Sequence, residues 1–171
     1  MASRELLRID PDKRSIIERH LSQVPVRLGE LARELGVSAI KVSSMRTGVS
    51  GQVAREGDEY IIRVNRNEAR ERQRFTIAHE LAHYLLHRNL IDTSSEGITD
   101  TVLYRSGAPE QVEFEANRLA ADIVMPSALV DDMLKSEYQG IVTEATIENL
   151  AARFGVSKAA MELRLERMAR A

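Results

Sequence analysis

The chain has 171 residues, enough for one domain of ordinary size with a full hydrophobic core. Its 43% hydrophobic and 29% charged residues are the composition of a globular protein, not of a disordered one. A net charge of -2 argues against holding nucleic acid by bulk charge, and the absence of Cys excludes disulfides, thiol nucleophiles and thiolate metal sites.

Asp10-Pro11 opens a helix over 10–22, with Ile16, Ile17 and Leu21 at helical spacing and Pro25 beyond its end. A second short helix fits 27–36 and ends at Gly36. From 39 to 64 the pattern turns to β-branched and alternating residues, which predicts a small antiparallel meander with turns near Gly48–Gly51 and at Gly57-Asp58. The helical period returns from Asn67 to about His87. Its first half is charged and its second half, FTIAHELAHYLLH, carries the apolar stripe. Residues 88–108 read as a long loop. Pro109 then starts a helix that runs to Met125-Pro126, followed by a short helix over 127–136. Helices over 143–154 and 158–170 close the chain, joined at Gly155 with Ser157 as N-cap.

LARELGVS (31–38) and LAARFGVS (150–157) share five identities. Each copy reads as a helix, a Gly cap and a turn, or as the start of a helix-turn-helix. The second copy leads into a helix with Lys158, Arg164, Arg167 and Arg170, offset by Glu162 and Glu166, and with the net charge this argues against direct DNA contact.

Three of the four His fall within nine residues, and His79-Glu80-Leu81-Ala82-His83 forms an H-E-x-x-H motif. Residues four apart share one helix face, so both imidazoles can reach one ion, for which neutral imidazole and Zn²⁺ are a standard match. Glu80 sits about 100° round the helix, beside the ion, where it can act on water. His87 is excluded as a third donor. It lies about 12 Å along the axis from His79, and both cannot stand ~2 Å from one zinc. Leu86 and Asn89 likewise break the longer H-E-x-x-H-x-x-G-x-x-H pattern. His20, alone in the N-terminal helix, reads as a surface residue.

With no Cys and no further His downstream, the third donor must be a carboxylate. The helix from Pro109 offers Glu110, Glu113 and Glu115. At ~100° per residue, Glu113 aligns with Asn117, Ala120 and Val124 on the inner stripe, and Glu115 with Arg118 and Asp122 on the wet face. An inner carboxylate needs a compensating charge, which a metal supplies. Asn117 is placed either to orient a ligand or to pack as a buried amide. Tyr104 is a candidate oxyanion donor or a packing residue, and Arg72 and Arg74 read as a solvated charged face.

These residues resemble the ImmA/IrrE family of zinc metallo-endopeptidases. The matching strings are Arg72-Gln73-Arg74-Phe75-Thr76-Ile77-Ala78-His79-Glu80-Leu81-Ala82-His83, then Glu113-Phe114-Glu115-Ala116-Asn117, then Val124-Met125-Pro126. Ala82 and Leu119 depart from the family's usual Gly and Phe, and leave the motif residues intact. The resemblance implies that His79, His83 and Glu113 hold Zn²⁺, that Glu80 is the catalytic glutamate, and that the substrate is a helix-turn-helix transcriptional repressor.

The resulting expectation is an α+β fold, with a small antiparallel sheet packed on a zincin-like active-site helix, helices around it and a C-terminal helix pair. It is read as one domain over 1–171, with an N-terminal helix in 1–24, a catalytic core over 25–136 and a helix-turn-helix-like pair over 137–171. No apolar run approaches the roughly 18–20 residues of a membrane span, and the N-terminus has no apolar signal core, so a cytoplasmic location is expected. Two other readings stay open: a DNA-binding or adaptor module that keeps a metal, and a structural-zinc protein. The absence of a fourth Cys or His donor favours an open, catalytic position.

Overall fold

The computed structural model describes residues 3–101 and 109–171. The elements run α1 (Arg4–Leu7), α2 (Pro11–His20), α3 (Leu28–Glu34), β1 (Ala39–Ser43), β2 (Val49–Glu56), β3 (Glu59–Asn65), α4 (Arg70–Leu86), α5 (Arg88–Asp92), β4 (Ile98–Thr101), α6 (Glu110–Val124), α7 (Ser127–Tyr138), α8 (Glu144–Phe154) and α9 (Lys158–Ala169). The protein is α+β, with one four-stranded sheet among helices in the described residues.

The sheet order is β1-β3-β2-β4. β2 pairs antiparallel with both β3 and β4, as the alternating pattern leads one to expect. β1 does not extend the meander. It lies parallel to β3, with Ala39 opposite Ile61 and Val42 opposite Val64, so the segment after Ser43 crosses over instead of turning back. Alternation fixes which face a residue takes but says nothing about which strand is its neighbour. β3, with Tyr60–Val64, is therefore an inner strand paired on both sides, and among the described residues the outer strands are β1 and β4.

α4 lies against the sheet through β2 and β3 and against α6 on its other side. Two pairs of small buried residues, Ala78 and Ala82 on α4 and Ala116 and Ala120 on α6, allow a close helix approach. Ala82 and Leu119, the two departures from the family pattern, are wholly buried. On the sheet side the close approach is at Gly51, where a Cβ would stand 2.4 Å from Thr76 Cγ2 and 3.5 Å from Glu80 Cγ. Only a residue without a side chain lets β2 pass beneath the motif helix there.

The repeated LA-x-x-x-GVS string closes a helix in the same way twice. Val37 N donates to Ala32 O at 3.0 Å and Val156 N to Ala151 O at 3.0 Å, each across a glycine of positive φ. The next element is not the same: β1 after the first copy, α9 after the second. α8 and α9 send Ile147, Leu150, Phe154, Met161 and Leu165 into the same core cluster as Ile62, Leu81 and Leu119.

The N-terminal segment differs from expectation in two places. A short helix, α1, precedes α2, capped by Ser3, whose side chain accepts from Leu6 N. His20 is buried rather than on the surface, with Nδ1 3.3 Å from Gln23 Oε1 and Nε2 3.1 Å from Glu34 Oε1. The expected loop over 88–108 holds α5 and β4. Tyr104 lies outside the described residues.

Candidate metal centre

The donors come from three elements. The last turns of α4 present His79 and His83 one turn apart, α6 presents Glu113 in its first turn, and edge strand β4 presents Asp100. All four residues are buried, and one donor atom from each lies within 4.8 Å of the others. His79 Nε2 is 3.1 Å from Glu113 Oε2 and 3.3 Å from Asp100 Oδ2. His83 Nε2 is 3.3 Å from Glu113 Oε1 and 3.6 Å from Asp100 Oδ2. The two Nε2 atoms face each other at 3.1 Å. Two lone pairs at that separation repel unless a proton or a cation lies against them, so two imidazoles and two carboxylates form a donor set that fits a zinc ion.

The structure thus brings together His79, His83 and Glu113, and adds Asp100, for which the sequence pattern gives no prompt. Asp100 sits in Ile98-Thr99-Asp100-Thr101, a four-residue strand whose β-branched content is its one local signal. The expectation that no fourth Cys or His donor is available stands, and Asp100 adds a fourth candidate of another kind. That expectation weighed Cys and His alone, and the fourth group is a carboxylate.

Glu80 is fully buried beside this cluster, within hydrogen-bond reach of Asp100. Burial, followed by the nearby Asp100 and Glu113 carboxylates, raises its pKa well above the usual carboxylate range. For His79, burial alone would lower the value. The Asp100 and Glu113 carboxylates outweigh it and raise the imidazole to about 9.

A cleft of about 240 Å³ opens onto the cluster, lined by Ser50, Arg72, Phe75, Thr76, His79, Asp100, Thr101, Glu113 and Asn117. Asn117 is half-buried on that wall, one turn from Glu113. Arg72 is exposed at the rim, as read from the sequence. Arg74 is not part of a solvated face: it is partly buried and donates from Nη2 to Val26 O at 2.9 Å.

Glu115 also departs from expectation. It is buried, and it accepts from His87 Nε2 at 3.2 Å and pairs with Arg8. The face of α6 that a helical wheel marks as wet is covered by the N-terminal segment and by α9. Arg118 pairs with Glu5 at 2.7 Å and Asp122 with Arg164 at 2.9 Å. His87 itself stands behind the cluster, its Nδ1 3.0 Å from Nδ1 of His83. Burial, with the adjacent His83 ring and the Arg8 cation, lowers it to about 4, so the His87 ring is neutral at pH 7.

An H-E-x-x-H helix crossed by a second helix that brings in a carboxylate offers the His₂Glu donor pattern found in zinc peptidases. The chain belongs to the peptidase family described as the IrrE N-terminal-like domain, whose pattern matches residues 32–166. It is 35% identical over 100 residues to the radiation response metalloprotease IrrE of Deinococcus deserti, covering 58% of this chain and 34% of that protein. It is 29% identical over 111 residues to the metallopeptidase ImmA of Bacillus subtilis, covering 65% of this chain and 58% of that protein. The chain thus spans less than two thirds of either relative. A Mycobacterium tuberculosis transcriptional regulator shares the fold, with a TM-score of 0.53 at 19% identity over 92% of this chain and 47% of that one.

Proposed function

We propose that the protein is a zinc-dependent endopeptidase in which His79, His83 and Glu113 hold the metal and Glu80 is the general base. The observation that carries this is the placement of a fully buried Glu80 beside a four-donor cluster that borders an open cleft. Bound zinc supplies Lewis-acid polarisation of the scissile carbonyl. Glu80 takes the proton of the attacking water and returns it to the leaving amine. Its raised pKa suits it to hold that proton between the two steps, because burial disfavours the bare carboxylate.

β4 carries Asp100 and borders the cleft, so a substrate peptide would lie along β4 in an extended form. Such a site takes an extended or locally unfolded stretch, such as the linker of a modular regulator. The substrate class we propose is a helix-turn-helix transcriptional repressor, following the family resemblance. The α9 cations speak against DNA as the partner: Lys158 pairs with Glu144 and Glu148, and Arg164 with Asp122. Among the described residues no helix is long and apolar enough to cross a membrane, in keeping with the cytoplasmic location we propose.

Asp100 favours one second reading. A zinc ion with four protein donors is a structural site. In the catalytic reading Asp100 faces the position that substrate and water must enter. Incubation of the zinc-loaded protein with a purified helix-turn-helix repressor, with and without chelator, and mass mapping of the products tests the proposal. A single metal-dependent cut is expected. An intact repressor alongside general digestion of unfolded proteins would replace regulation with general proteolysis, and no proteolysis at all would leave the structural or adaptor reading.

A further inference from the structure

The cluster is braced from behind. A carboxylate only accepts hydrogen bonds and a guanidinium only donates them, so the polarity of the contacts behind His83 runs one way. Glu115, paired with Arg8, accepts from His87 Nε2–H at 3.2 Å. With Nε2 donating to that carboxylate, Nδ1 of the His87 ring is left to accept, and it lies 3.0 Å from His83 Nδ1. His83 must be the donor there. Its proton is on Nδ1, and its Nε2 presents a lone pair to Glu113, Asp100 and whatever lies between them.

We propose that Arg8, Glu115 and His87 form a relay of positioning residues that fixes the tautomer and ring orientation of His83. The inference rests on the reading of the cluster as a metal centre. Its starting point, Arg8, lies before the 32–166 span matched by the family pattern, so the N-terminal segment of this chain completes the site. Outer groups of this kind typically shift metal affinity 10–100-fold.

The test measures zinc affinity by chelator competition, together with long-range ¹H–¹⁵N correlation of the imidazoles in metal-free and zinc-loaded protein. In the wild type, His83 is expected to be protonated on Nδ1 in both forms. Glu115→Leu is expected to weaken zinc binding about 10–100-fold and to mix the His83 tautomers. Arg8→Ala, at a half-exposed position, should give a smaller loss in the same direction, and Arg8→Lys should restore it. Arg118→Ala, which breaks the neighbouring pair with Glu5, should lower the melting temperature and leave zinc affinity unchanged. The relay is overturned by an Nε2-protonated His83 in the wild type, by unchanged zinc affinity in a folded Glu115→Leu, or by an Arg118→Ala loss equal to that of Arg8→Ala. If the wild type takes up no zinc, the proposed peptidase function falls, and the His83 tautomer in the metal-free protein still decides the relay.

Discussion

His79 and His83 point their Nε2 atoms at each other across 3.1 Å. In the metal-free protein the Asp100 and Glu113 carboxylates hold a proton on His79, whose pKa is raised to about 9. A metal ion must displace this proton. Uptake of zinc at pH 7 is therefore expected to release close to one proton from His79, and affinity should rise about tenfold per pH unit up to about pH 9. Calorimetry in buffers of different ionisation enthalpy reads the proton count directly. Zinc affinity that is flat between pH 6 and 9 would contradict a protonated His79.

The two glutamates at the cluster should separate cleanly. Glu113→Ala removes a donor and is expected to abolish tight zinc binding. Glu80→Gln keeps the shape and should retain zinc while losing hydrolysis, by about 10²–10⁴-fold for a general base. It should not lower the melting temperature, since it removes a fully buried ionisable group beside two other carboxylates. Zinc content and turnover of the two variants check the assignment, and an active Glu80→Gln protein would exclude the base role.

Asp100→Ala distinguishes the two readings of the fourth donor. If Asp100 guards an entry position, the variant should keep zinc within about tenfold of wild type and still turn substrate over. If zinc is structural, the loss of one of four donors should weaken binding as much as Glu113→Ala does. Titration of both variants against one chelator gives the comparison.

The C-terminal helices belong to the fold energetically. Phe154 is fully buried where α8 ends, one residue before the glycine whose Cβ position falls 2.7 Å from Arg74 Nε of α4. Phe154→Ala should cost about 3–5 kcal/mol by cavity formation, measured by denaturant unfolding. A loss below about 1 kcal/mol would mark the pair as an appendage rather than part of the 1–171 unit.

The helical parts of the site were legible because their spacing is local. His79, Glu80 and His83 lie within five residues, and Glu113 stands out as a carboxylate in phase with Ala120 and Val124. The same phase relation misplaces Glu115, because a wheel cannot show that Arg8, more than a hundred residues upstream, returns to cover that face. Asp100 was hidden for a related reason. Its strand has four residues and forms only by pairing with β2, so no window of sequence carries the signal. The parallel β1–β3 contact is likewise a property of topology, not of pattern.

The order of the sheet also sets an order of assembly. Its central pair, β2 and β3, is the one that closes locally across Gly57-Asp58, whereas β1 and β4 depend on distant partners. The expected order is growth outward from that hairpin, with the strand that delivers Asp100 added after it. A four-residue strand at a sheet edge is held by few bonds, so it can also leave first. Local opening of β4 would expose the cluster while the α4–α6 framework and the inner strands stay folded. Amide exchange should find Thr99 and Asp100 the quickest of the strand residues to trade hydrogen for deuterium.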